Sequence, residues 1–225
     1  MDYKDGKEVA QEGKGRPSNG AVSYFPVFIY ISTVKTNTFF MMGRPGSGKG
    51  TQANNLAKQL GATIFSSGVR YRQIAAEDTF IGNKIKSIID AGELTPSWFA
   101  AYLFTESILK LPSLESPIVY EGAGRKPEEA ERIDDVLGWL ERPYVVIHLD
   151  VSEEEIRSRL LKRAELERRK DDSEESLNVR LMAYARDTAH SIEFFRGKKK
   201  VLEVNGNQPQ DQVFAEIIEK ISKLS

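Results

Sequence analysis

Residues 43–51 read GRPGSGKGT, four glycines and one lysine in a span of nine. Such a run bends tightly and brings its backbone against a ligand without Cβ clashes. A helix starting there aims unpaired N–H groups and its positive dipole end at the loop. Lys49 adds a full charge able to reach terminal phosphates. The chemistry implied is phosphate binding by Gly46, Ser47, Gly48, Lys49, Gly50 and Thr51. The general pattern puts Ser or Thr directly after the lysine, whereas here Gly50 intervenes. Thr51 then offers its hydroxyl one step later, and a magnesium ion would rest more on water and phosphate oxygens. Further along, Arg159 and Arg163 are four residues apart and share a helical face, with Ile156 and Leu160 on an adjacent face suited to packing. That pattern predicts a basic edge turned toward a cleft. A dense charge run at 164–172 follows, holding Arg168, Arg169, Asp171 and Asp172.

These side chains need elements to hold them. From Thr38 onward, strand-like and helix-like segments alternate, which predicts an α/β fold with a parallel sheet. Strands are expected at 38–42, 117–121, 144–150 and 200–204. Helices are expected at 51–60, where Gly61 ends the run, and at 97–111, 127–140, 152–163, 173–195 and 210–224. The glycine-rich run therefore sits between a strand and a helix, the context a phosphate loop requires. Residues 66–95 carry no obvious strand and are expected to form a small helical lobe. Run 164–172 is expected to be a mobile loop between two helices.

The 225 residues fit one substantial domain, placed at 37–225. Residues 1–20 are polar and mixed in charge, and 1–36 are expected to form a partly disordered extension. Within it, 21–31 is more apolar, but Pro26 interrupts it and it is too short to span a bilayer. A formal net charge of −1 gives no global pull toward nucleic acid or acidic membranes, so anion binding must be local. With no cysteine and two histidines, neither a disulfide framework nor a thiolate or histidine zinc site is expected.

GRPGSGKGTQ resembles the phosphate loop of the adenylate kinases and the related UMP/CMP kinases. Four further segments occur in that family's order. Ser66-Ser67-Gly68 with Arg72 resembles the start of its monophosphate-binding lobe, and Gly92-Glu93-Leu94-Thr95-Pro96 its end. Glu121-Gly122-Ala123-Gly124-Arg125 stands where the family has an Asp-Gly-Phe-Pro-Arg type segment. Residues 160–163, then Arg169, Asp171, Asp172 and Arg180, look like a short-lid version of its lid segment. The resemblance runs from about Thr38 to the C-terminus.

The fold so implied is the phosphate-loop NTPase type: a parallel sheet flanked by helices, a monophosphate-binding lobe at 66–95 and a short lid at 163–172. The activity implied is transfer of the terminal phosphoryl group of ATP, as its magnesium complex, to a nucleoside monophosphate, AMP first and a pyrimidine monophosphate second. A nucleotide-binding regulatory protein with weakened catalysis is the reading from another class. By family position Lys49, Arg125, Arg163, Arg169 and Arg180 would be catalytic. ATP would meet the loop residues, Arg159, Arg163 and Gln208. The monophosphate would meet Ser67, Gly68, Arg72, Glu93, Leu94, Thr95, Gly122, Arg125, Glu129, Arg169 and Arg180. Glu121 through water, and Thr51, would serve the metal. A cytoplasmic monomer acting on free nucleotides, with no nucleic-acid or membrane partner, is expected. The chain departs from the family at Val69, Glu121, Ala123, Gly124 and Glu129. Ala123 and Gly124 replace an aromatic and a proline, which predicts a looser turn. Glu129 replaces a glutamine that reads the adenine edge, and a carboxylate cannot donate unless protonated.

Overall fold

The computed structural model describes residues 36–167 and 174–224, the side chains of 161–167 and 174–176 excepted. The expected extension at 1–36 lies almost wholly outside the described residues, and Arg168, Arg169 and the second half of the expected lid lie outside them too.

Five strands form one sheet: β1 (Thr38–Gly43), β2 (Thr63–Ser66), β3 (Ile118–Glu121), β4 (Tyr144–Asp150) and β5 (Val201–Asn205). All neighbours pair in parallel, in the order β2-β3-β1-β4-β5. β1 is apolar at successive positions because both its faces are covered. Phe39 and Met41 pack into one layer, Phe40 and Met42 into the other. Helices α1 (Lys49–Leu60) and α9 (Gln210–Ser222) cover the first face through Leu56, Ile217 and Ile221. Helices α4 (Ser97–Leu109), α5 (Pro127–Trp139) and α8 (Ala189–Gly197) cover the second through Phe104, Ile133 and Phe195. Between β2 and α4, α2 (Ser67–Ala75) and α3 (Phe80–Asp90) pack Ile74 and Ile85 against Phe99 and Leu103 of α4. This is a small cluster apart from the two sheet layers.

After β4 come α6 (Glu153–Glu167) and α7 (Glu174–Ala183). A five-residue π-helical turn, Tyr184–Thr188, joins α7 to α8. Among the described residues no helix is long and apolar enough to cross a membrane.

Several elements differ from the sequence expectation. β2 was not expected: it has four residues at the sheet edge, and Ile64 is 39% exposed, so it lacks a buried-strand pattern. The helix expected over 173–195 is interrupted by the π turn. α6 runs to Glu167, four residues into the charge run expected to be a loop, because that stretch keeps good helix formers. The strand order sets the site. The chain leaves β1 toward β2 and β3, then crosses to β4 and β5. The crevice at the carboxyl ends of β1, β3 and β4 lies where that order reverses, which is where open parallel sheets bind ligands.

Candidate active site

The loop after β1 is shaped by glycine. Gly46 has φ +83 and Gly48 has φ +86, backbone that other residues rarely adopt. A Cβ on Gly46 would come within 2.8 Å of Leu160 Cγ, so α6 packs directly on the loop. The Ser47 hydroxyl is buried without a hydrogen-bond partner, the condition expected of a group waiting for a polar ligand. Lys49 opens α1 and donates to the Arg44 carbonyl at 3.1 Å. Arg159, on α6, reaches the loop from the other side. Its guanidinium donates to the Ser47 carbonyl at 3.4 Å and the Gly206 carbonyl at 2.8 Å, and Glu155 holds it at 2.7 Å.

A cavity of about 300 Å³ opens beside this loop. Lys49, Arg72, Arg125 and Arg180 line it, one each from α1, α2, the loop after β3 and α7. Four cations from four elements face one volume, an arrangement suited to anionic phosphate groups. Gly68, Glu93, Leu94, Thr95, Gly122 and Glu129 complete the expected residues on its wall.

The loop after β3 was expected to be loose and is not. Ser191 of α8 donates its hydroxyl to the Gly124 carbonyl. A Cβ on Gly124 would meet Ile133 at 3.0 Å. Replacing bulky residues with Ala123 and Gly124 lets the turn sink against α5 and α8, so tertiary packing fixes it. Gly122, φ +84, is required here: a Cβ would lie 2.4 Å from Ser67 Oγ and 2.5 Å from Arg125 Nη2. Ser67 itself donates to the Gly122 carbonyl at 3.0 Å, behind the cavity wall.

Glu121 ends β3 and accepts the Ser66 hydroxyl at 2.6 Å. Burial alone would raise its carboxyl, but Lys49, Arg125, the Ser66 hydroxyl and Arg72 together outweigh it and hold the group below its ordinary value. Among the described residues no group of three His, Cys, Asp or Glu side chains could hold a metal. One ionised carboxylate beside a phosphate loop still fits magnesium, which keeps waters and binds through one or two carboxylates plus substrate phosphates. Glu129, 4% exposed, accepts the Arg125 backbone N–H at 2.8 Å.

The fold and this cationic cavity agree with the comparisons. The family model described as adenylate kinase matches residues 41–200. An adenylate kinase of Cyanothece sp. is 34% identical over 82% of this chain and 94% of its own length. Adenylate kinase 1 of Nostoc sp. is 36% identical over 78% of this chain and 94% of its own length. The adenylate kinase of Thermus thermophilus is 34% identical over 78% and 92%. The chain belongs to the adenylate kinase family.

Against that family's pattern, not every expected residue faces the cavity. Thr51 is exposed on α1. The Gln208 amide is engaged by the Asn205 carbonyl at 3.1 Å and Glu216 at 2.6 Å. Arg163 lies on α6 with its side chain outside the described residues, and Arg169 lies outside them altogether. The structure adds residues that the adenylate kinase resemblance did not supply. Tyr71 lines the cavity, and its hydroxyl accepts from Thr95 at 2.8 Å. Burial pushes that phenol up. Lys126 donates to the Thr95 carbonyl at 3.0 Å, tying the loop after β3 to the end of the small helical cluster. Tyr184 also lines the cavity, from the first position of the π turn. Arg44 lies over its ring at 5.3 Å, and the Tyr184 hydroxyl is 3.2 Å from His148. The spacing from Arg180 to Tyr184, one helical turn, was a signal available in the sequence.

Proposed function

We propose that the protein moves the terminal phosphoryl group of ATP to AMP, giving two ADP, with magnesium accompanying ATP. The observation that carries this is the convergence of Lys49, Arg72, Arg125 and Arg180 on one cavity beside the phosphate loop. Family membership and relatives named adenylate kinase support it.

The acceptor is already an anionic phosphate oxygen, so no strong general base is needed. The obstacle is mutual repulsion of the phosphates as they meet. Catalysis is then positioning plus charge stabilisation. In this reading the loop N–H groups, Lys49 and Arg159 hold the ATP phosphates. Arg72 and Arg125 clamp the acceptor phosphate. Arg180 neutralises the transferring group, joined by Arg163 and Arg169 from the lid segment at 163–172. An acceptor oxygen attacks the terminal phosphorus as the bond to the ADP oxygen breaks, and the cations stabilise charge on both sides. Glu121, through water, would hold magnesium, which would supply charge neutralisation on the ATP phosphates. Residues 66–95 are the acceptor lobe, and its closure with the lid excludes water. Glu129 meets the base. The same reading places a monomer in the cytoplasm, acting on free nucleotides.

A coupled assay of ADP formation with AMP, CMP, UMP and GMP offered separately tests this. AMP is expected to give the highest kcat/KM. ATP binding without acceptor-dependent turnover would overturn it. Lys49→Met is expected to lower kcat by about a hundredfold or more, since it removes a charge aimed at the reacting phosphates. Near wild-type turnover would remove the lysine from the mechanism.

A further inference from the structure

Glu129 is the one acidic side chain of α5 that is buried yet lines the cavity. It sits in the first turn, two residues after Pro127. A carboxylate there ordinarily stays ionised, because helix N–H groups and the dipole favour negative charge by about 0.3–1 kcal/mol at exposed sites. Here the site is 4% exposed, and the cost of burying a carboxylate is larger than that. Burial accordingly pushes the carboxyl up to about 7, against the pull of the Arg125 backbone N–H, the Arg125 guanidinium and Lys126.

Charged and titratable groups on the surrounding walls come from several elements, Lys49 of α1 among them. Arg125 and Lys126 precede α5, and Tyr71 and Arg72 come from α2. Asp90 and Glu93 come from the end of α3 and the loop after it, and Arg180 and Tyr184 from α7 and the π turn. Of these, Arg125 and Lys126 favour the anion.

The hydrogen bond fixes the carboxyl's orientation. Oε2 accepts the Arg125 N–H at 2.8 Å, which favours Oε2 as the carbonyl oxygen and Oε1 as the hydroxyl of the neutral acid. A neutral carboxylic acid offers one acceptor and one donor side by side. Adenine presents the complement on one edge, an amino donor beside the ring acceptor N1. The ionised form offers acceptors only and meets the N1 lone pair with negative charge. Cytosine presents the same amino donor beside a ring acceptor, whereas guanine and uracil present a ring N–H there, which the acid O–H opposes.

Resting on the reading of this cavity as the AMP site, we propose that Glu129 selects the acceptor base as a neutral carboxylic acid, so that adenine is taken while one proton sits on that side chain. Glu129 is a specificity-determining residue, and acceptor affinity carries a proton requirement that a glutamine at this position would not have.

The test is the KM for AMP at saturating ATP and magnesium from pH 6 to 9, for wild type and Glu129→Gln. The AMP phosphate titrates within this range, so the readout is the ratio of the two KM values at each pH, in which the phosphate cancels. The ratio is expected to be flat below pH 7 and to rise toward about tenfold per pH unit above it, as the fraction of neutral acid falls. A second measurement needs no variant. An AMP analogue with N1 replaced by CH cannot accept the Oε1–H, so on wild type the ratio of the AMP KM to the analogue KM is expected to rise with pH in the same way. AMP turnover with both ratios flat would overturn this inference alone. No AMP-dependent ADP formation at any pH would overturn the acceptor assignment and this inference with it.

Discussion

Lys49, Arg72 and Arg125, which the sequence and its family resemblance single out as candidate phosphate ligands, all line the cavity. Tyr71, Lys126 and Tyr184 were not legible in the sequence, because each acts through a contact made only on folding, such as the Tyr71–Thr95 hydrogen bond. Gly122 shows how narrow the tolerance is. A methyl group there collides with both Ser67 and the Arg125 guanidinium, and the φ of +84 adds strain. Gly122→Ala is therefore expected to lower kcat/KM for AMP by about a hundredfold, the scale of a misplacement near 1 Å. Initial rates with AMP varied check this, with the ATP KM expected to change far less. Glu129 also ties stability to pH. Below its unfolded value of 4.5 both folded and unfolded states hold the proton. Between that value and about 7 the unfolded chain releases it while the folded chain keeps it, so stability falls as pH rises. Above about 7 the cost is complete, on the order of 3 kcal/mol. Glu129→Gln is expected to be more stable than wild type by up to about that amount at pH 8.5, with about a quarter of the gain left at pH 5. Urea unfolding of the nucleotide-free protein at both pH values measures it.

The elements legible in the sequence are those whose pattern is continuous. β1 and β4 are apolar at nearly every position because both faces are covered, and α1 stops where Gly61 takes φ +59. β2 was missed because an edge strand of four residues with an exposed Ile64 has neither length nor alternation. The π turn was missed because no residue type marks one; it is a bulge in an otherwise helical run. α6 is held to the phosphate loop by Leu160 against Gly46, with Ile156 and Val151 buried behind it. Gly46→Ala would push Leu160 off the loop. The expected result is about a tenfold rise in the ATP KM, with the AMP KM changing less, because α6 also carries Arg159 to the phosphate loop. Substrate-saturation kinetics for both nucleotides separate the two.

Across the whole molecule, the cationic cavity and a buried arginine lie at opposite ends of the sheet. At the amino ends of the strands, Arg142 is 4% exposed and donates to the carbonyls of Leu114, Ser116 and Asn37 and to the Thr38 hydroxyl. It joins β1 to the loop before β3 using neutral acceptors, so its contribution is expected to be insensitive to salt. Arg142→Ala is predicted to cost about 3 kcal/mol, since three partly buried carbonyls and the buried Thr38 hydroxyl lose their donor, while kcat of the folded fraction is unchanged. Thermal unfolding at low and high salt, with rates below the transition, tests both halves. The carboxyl ends of the same strands carry the loop, the cations and the acceptor wall, and there the central claim is stoichiometric. The most direct test is to follow ATP, AMP and ADP by chromatography with magnesium present. The account predicts two ADP formed for each ATP and AMP consumed, with no phosphate released and no ATP loss when AMP is absent. ATP loss that ignores AMP, or that releases phosphate, would contradict it.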